Sequence, residues 1–189
     1  RNLCYINYEE GAYQMTTHLI KMGHSEIFLL VDKAPLVEMQ QIADGYRRAL
    51  RQHSPGAGEN ILTAEDTARG GYLAMQKLLQ NHTIPPALIT ASDDQAAGVM
   101  KAVLDEHISI PENMALACLT DSATCSILDP PVTALETPSR RLGMVAARML
   151  FDSIEGSDEL YGPQEIILQP KLKIRRSCGN TKPIYELFG

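Results

Sequence analysis

Ser92-Asp93-Asp94 and Thr120-Asp121 are the residues best placed, by type and spacing, to do chemistry. Each group directly follows a short apolar run, residues 87–91 and 115–119, of the length of a buried strand. Between the runs, Ala96, Met100 and Val103 recur at helical spacing until Pro111 ends the pattern. A strand–helix–strand crossover of this length implies parallel pairing, and ligands of open parallel sheets sit beyond the carboxyl ends of the strands. Hydroxyls and carboxylates at those ends can hold a polar ligand. They do not form a catalytic acid pair, because Asp93-Asp94, like Glu9-Glu10, are sequence neighbours whose side chains diverge. His18 and His24 flank a helix end, a spacing that suits structural roles better than a shared metal. No nucleophile elbow, P-loop or G-x-G-x-x-G is present. The residues therefore predict a binding protein without metal or cofactor, not an enzyme.

A chain of 189 residues can bury one sizeable core, or one lobe and part of another. Its 44% hydrophobic and 21% charged residues are ordinary for a globular domain, and no apolar run approaches bilayer-spanning length. The formal charge of −6 argues against this segment gripping DNA phosphates by itself. Cys4, Cys118, Cys125 and Cys178 lack CxxC spacing and are read as thiols in a reducing compartment. Without an initiator Met, and entering an apolar run at Leu3, the chain is read as a piece of a longer protein.

The elements that must position the two corners alternate. Strands are expected at 3–6, 26–31, 60–62, 87–91, 115–119 and 132–135, with helices following Gly11, Leu36, Thr67, Ser92 and Ser139. Residues 165–168 and 172–174 are expected as closing strands, as a hairpin around Pro170. Residues 156–163 read as a polar turn. This order gives an α/β class, a mainly parallel sheet flanked by helices.

Several segments resemble one family. Asn7-Tyr8-Glu9-Glu10-Gly11-Ala12, then His18-Leu19-Ile20-Lys21-Met22-Gly23-His24, Gly45-Tyr46-Arg47-Arg48-Ala49-Leu50 and Ser92-Asp93-Asp94-Gln95-Ala96-Ala97-Gly98 occur in order. Ile110-Pro111-Glu112-Asn113, Pro130-Pro131-Val132-Thr133, Leu142-Gly143-Met144-Val145-Ala146 and Ile174-Arg175-Arg176-Ser177-Cys178-Gly179 follow. Together they resemble the LacI/GalR transcription repressors over residues 3–179. The resemblance implies the carboxy-terminal lobe of a type I periplasmic-binding-protein-like fold, in which two α/β lobes close on a ligand. It assigns residues 1–136 to the carboxy-terminal lobe, 137–163 to a segment returning to the amino-terminal lobe, 164–179 to closing strands and 180–189 to a tail. It further implies a small-molecule effector, a homodimer, DNA contact only through a headpiece outside this chain, no membrane and a cytoplasmic location. A periplasmic solute-binding protein is the competing reading.

The family's effector contacts fall here on Ile42, Asp66, Ser92 and Thr120, each a departure from the family's usual residue. Asp93 and Asp121 match the family's acids, the former as a helix N-cap and the latter in a structural or pocket-edge role. Asn7 stands at the lobe junction. A wall of Ile42, Asp66, Ser92 and Thr120 suits a ligand with an apolar portion and a donor or cationic group. For the dimer the resemblance implies residues 94–106 and 123–128, with Val99, Met100, Val103, Ile127 and Leu128 as apolar contacts.

Overall fold

The computed structural model describes residues 2–155 and 162–179. Strands β2 (Ile27–Asp32), β3 (Asn60–Ala64), β4 (Ala87–Thr90), β5 (Ala115–Cys118), β6 (Thr133–Glu136) and β8 (Lys171–Lys173) form a six-stranded sheet. Their order is β3-β2-β4-β5-β6-β8, with all pairs parallel except the antiparallel β6–β8 edge.

Strand side chains alternate faces, and here both faces are apolar. Ile27, Leu29 and Val31 of β2, with Ile89 of β4, pack under helices α1 (Tyr8–Lys21) and α2 (Val37–His53). Phe28, Leu30, Leu88 and Leu116 point the other way, under α3 (Ala68–Gln80) and α4 (Asp93–Asp105). Helices thus cover both sheet faces, and the carboxyl ends of the five parallel strands share one open edge. The short helix α5 (Ala123–Ile127) follows β5.

Two glycines set how closely the helices cross. A Cβ at Gly45 would lie 2.0 Å from the Glu9 carbonyl oxygen, and one at Gly98 would lie 1.8 Å from that of Ala68. Beside Gly45, the Tyr46 hydroxyl donates to the Ile27 carbonyl at 2.7 Å and accepts from the Asn60 N–H at 3.1 Å. Arg48 reaches Glu9 at 2.9 Å and Glu10 at 2.6 Å. The Gly-Tyr-Arg-Arg segment therefore holds α2 against α1, β2 and β3. Beside β5 and β6, the 3-10 turn Arg176–Cys178 buries Ser177 and Cys178. His18 Nε2 lies 3.3 Å from Cys178 Sγ, and burial first, then the neighbouring His24 and Lys21 charges, hold the His18 pKa below its usual value.

A separate two-stranded sheet pairs β1 (Leu3–Ile6) with β7 (Glu165–Leu168) in parallel. The hairpin expected around Pro170 does not form. Pro170 has no N–H to donate to such a turn, and its ring packs against Gly11 instead, so the chain passes from one sheet to the other. Leu3–Ile6, expected with the larger unit, also lies outside the six-stranded sheet. Helix α6 (Ser139–Ile154) packs on β1 and buries Met149, while Met144, Leu150, Phe151 and Ile154 remain exposed.

The expected dimer contacts need correction. Val99, Met100 and Val103 face the core, because α4 spends its apolar stripe on the sheet; Leu104 and Ile127 are the exposed apolar residues there, Ile127 at 80%. Most of the turn expected at 156–163, and the tail at 180–189, lie outside the described residues.

Gly98→Ala should push α4 away from the Ala68 carbonyl and lower stability by about 1–3 kcal/mol in urea titration. An unchanged midpoint would contradict a close α3–α4 crossing.

Candidate functional site

At the open edge, β4 and β5 are adjacent and in register, so their trailing residues form one corner. Ser92 is the N-cap of α4, its Oγ accepting the Gln95 N–H at 3.2 Å. Asp93, expected as the cap, is the first residue of the helix and does other work. Its carboxylate accepts the Ser122 hydroxyl at 2.6 Å, and Ser122 in turn caps α5 through the Thr124 N–H. The Thr120 hydroxyl donates to the Ala91 carbonyl at 3.1 Å, tying the end of β5 to the end of β4. Its backbone is clasped by two thiols: the Thr120 N–H donates to Cys118 Sγ, and Cys125 Sγ donates to the Thr120 carbonyl, both at 3.4 Å. Burial pushes the Cys118 thiol well up from its ordinary pKa.

Asp121 is committed to structure. Its side chain is 8% exposed, Arg175 reaches one oxygen at 2.8 Å, and Lys173 reaches the other at 3.0 Å. Arg175 also donates to the Val132 carbonyl at 2.7 Å and to Ser126 Oγ at 3.2 Å. Lys173 bridges onward to Glu136 at 3.0 Å, and hydrogen bonds to Glu136 and then Asp121 raise its ammonium pKa. An Asp121 so engaged has both oxygens satisfied.

The structure brings Ser92, Asp93, Thr120 and Asp121 together and leaves the other three expected residues apart. Ile42 is 2% exposed and lies within the core beside Tyr46 and Leu50, so it presents no surface to the crevice. Asp66 is exposed beyond β3, two strands from β4 and thus roughly 10 Å away at ordinary strand spacing. Asn7 caps α1, accepting the Glu10 N–H at 3.0 Å, and its own N–H donates to the Leu168 carbonyl at 2.9 Å. It sits where the chain crosses between the two sheets.

That crossing holds a cavity of about 610 Å³, within the range of small-molecule sites. Glu136, Thr137, Arg140, Arg141, Gln169 and Lys171 are among its lining residues. None of these was singled out from sequence. The available signal was the period-two row Lys171, Lys173, Arg175, which places three cations on one side of an extended segment. Among the described residues, no group of three His, Cys, Asp or Glu side chains is placed to hold a metal, and no helix is long and apolar enough to cross a membrane.

Residues 16–178 match the periplasmic binding protein-like domain family. The chain is 28% identical over 172 residues to the HTH-type transcriptional repressor PurR of Actinobacillus pleuropneumoniae serotype 3 (strain JL03), covering 90% of this chain and 51% of that protein. It is 29% identical over 180 residues to the NTD biosynthesis operon regulator NtdR of Bacillus subtilis (strain 168), covering 93% and 54%. The solved complex of the transcriptional regulator CelR with cellobiose superposes with a TM-score of 0.85 at 27% identity, over 93% of this chain and 54% of that one. The chain therefore spans about half the length of the curated relatives it matches.

Asp121→Asn leaves Arg175 short of its anion in a nearly buried place and should cost about 3 kcal/mol of stability. In a double-mutant cycle with Arg175→Gln, the coupling should exceed about 1 kcal/mol. Additive losses would mean that the pair is not the tie described.

Proposed function

Because the chain belongs to the periplasmic binding protein-like domain family, as the effector-binding core of a LacI/GalR-type regulator, we propose that it is the ligand-sensing part of a DNA-binding transcription regulator. One observation supports this reading above the others. Three chain passages, residues 6–8, 136–139 and 168–171, join the six-stranded sheet to the two-stranded one at the edge where the parallel strands end. Three passages at one edge make a hinge, and a ligand that prefers one setting of the hinge shifts the population of the whole molecule.

On this reading residues 8–136 and the β8 segment make the carboxy-terminal lobe, and β1, β7 and α6 belong with the amino-terminal lobe. The effector sits between the lobes. Ser92 offers it a hydroxyl at mid-crevice, while Asp93, bound to Ser122, joins Thr120 and Asp121 in holding the floor. DNA is gripped by a headpiece outside this chain, since a formal charge of −6 does not favour phosphate contact here. Two copies associate through the exposed Leu104 and Ile127 near the ends of α4 and α5, giving a two-fold molecule suited to two half-sites. Cys4, Cys118, Cys125 and Cys178 are free thiols, which suits the reducing cytoplasm better than the periplasm of a solute-binding protein.

The test is a fluorescence-anisotropy titration of the full-length gene product on DNA from its own promoter, with and without a cell metabolite extract. Two chains should bind per site, and the extract should change affinity by about tenfold. Failure to bind DNA in either condition would contradict the regulator reading.

A further inference from the structure

We propose that the ligand of this crevice is an anion, a small molecule bearing a phosphate or carboxylate group that Arg140, Arg141 and Lys171 hold in the cavity at the hinge. The inference rests on the cavity being the effector site and adds the chemical class.

The charges carry it. Three cations, Arg140, Arg141 and Lys171, line the cavity against one carboxylate, Glu136, while Lys173 and Arg175 stand farther along the returning segment against Asp121. Both carboxylates are engaged by Lys173, and Asp121 by Arg175 as well. The side chains of Arg140, Arg141 and Lys171 line the cavity with no ion-pair or hydrogen-bond partner among the described residues. The protein as a whole is acidic, so this cationic surplus is a local property. A cleft with a surplus of one sign of charge concentrates ligands of the other sign. Planar guanidinium forks match the paired oxygens of carboxylate and phosphate, and the ammonium adds a point charge. Thr137 and Gln169, in the same lining, offer neutral hydrogen bonds to the remainder of the molecule.

The sequence had pointed the other way, to a ligand with an apolar portion and a donor or cationic group, on a wall of Ile42, Asp66, Ser92 and Thr120. Ile42 is in the core. Asp66 follows β3, at the opposite end of the strand order from β8. Five strand spacings separate them, roughly 24 Å, too far for one small metabolite to touch both. The crevice is thus polarised along its length, with the 610 Å³ cavity at the cationic end.

The measurement is calorimetric titration of this chain at constant ionic strength with ribose 5-phosphate, ribonate and ribose, which differ in the charged group. At least one of the two anions should bind saturably and about tenfold more tightly than ribose. Arg140→Gln with Arg141→Gln, and separately Lys171→Gln, should weaken that anion about tenfold. Arg51→Gln, an exposed cation on α2, should not. All four substitutions lie on the surface, and unchanged melting temperatures confirm that each variant folds. Equal affinities for ribose and its anions, untouched by the substitutions, would overturn the anion class while leaving the crevice a ligand site. Absence of saturable anion binding would overturn it too. Failure of the sensor reading shows separately, in the promoter titration.

Discussion

The contact between Asp121 and the returning carboxy-terminal segment holds the rest of the architecture in place. Fifty-four residues separate Asp121 from Arg175, and the chain between them leaves the six-stranded sheet, forms α6 and β7, and comes back. Arg175 ends that excursion by meeting Asp121, the Val132 carbonyl and Ser126 at once. Two residues later the Ser177 hydroxyl accepts the Thr133 N–H and donates to the Leu116 carbonyl. Loop closure over such a distance is entropically unfavourable, and charge-assisted bonds in a nearly buried place offset it. The tie reinforces the antiparallel β6–β8 ladder and fixes where the returning segment ends.

Everything at the open edge follows from that closure. The parallel strands, apolar on both faces, can only be covered by helices on both sides, which leaves their carboxyl ends as the polar edge. Thr120 and Asp93 bind the strand ends to one another, so the corner is rigid before any ligand arrives. Rigidity on one side and three thin passages on the other is the arrangement a clamp needs: a fixed wall and a bending line.

Much of this was legible in the sequence wherever the cause is local. Residues 86–121 read as a βαβ unit because strand-length apolar runs flank a helical stripe. Helix starts after Thr67 and Ser92 were legible because hydroxyls there meet orphan N–H groups, although the cap of α4 itself was expected at Asp93. Where the cause is distant, the sequence is silent. Nothing near Ile42 says that its helix turns it toward Tyr46 and Leu50 rather than the crevice. Met100 and Val103 look surplus to one helix face until α4 is seen against the sheet. Pro170 looks like a hairpin turn because its ring fits one, yet it packs on Gly11, more than a hundred residues earlier. The ion cluster was hidden for the same reason: an Asp matched to a family position gives no sign of the cations that will neutralise it.

Native-state hydrogen exchange of this chain tests the central claim, that one complete unit carries a smaller second one through a hinge. Amides of β2, β4, β5 and residues 96–104 should exchange only through global unfolding, while those of α6, β1 and β7 should exchange at least about a hundredfold faster through local opening. Equal protection of α6 and residues 96–104 would contradict it, for the chain would then be a single cooperative body with nothing to bend.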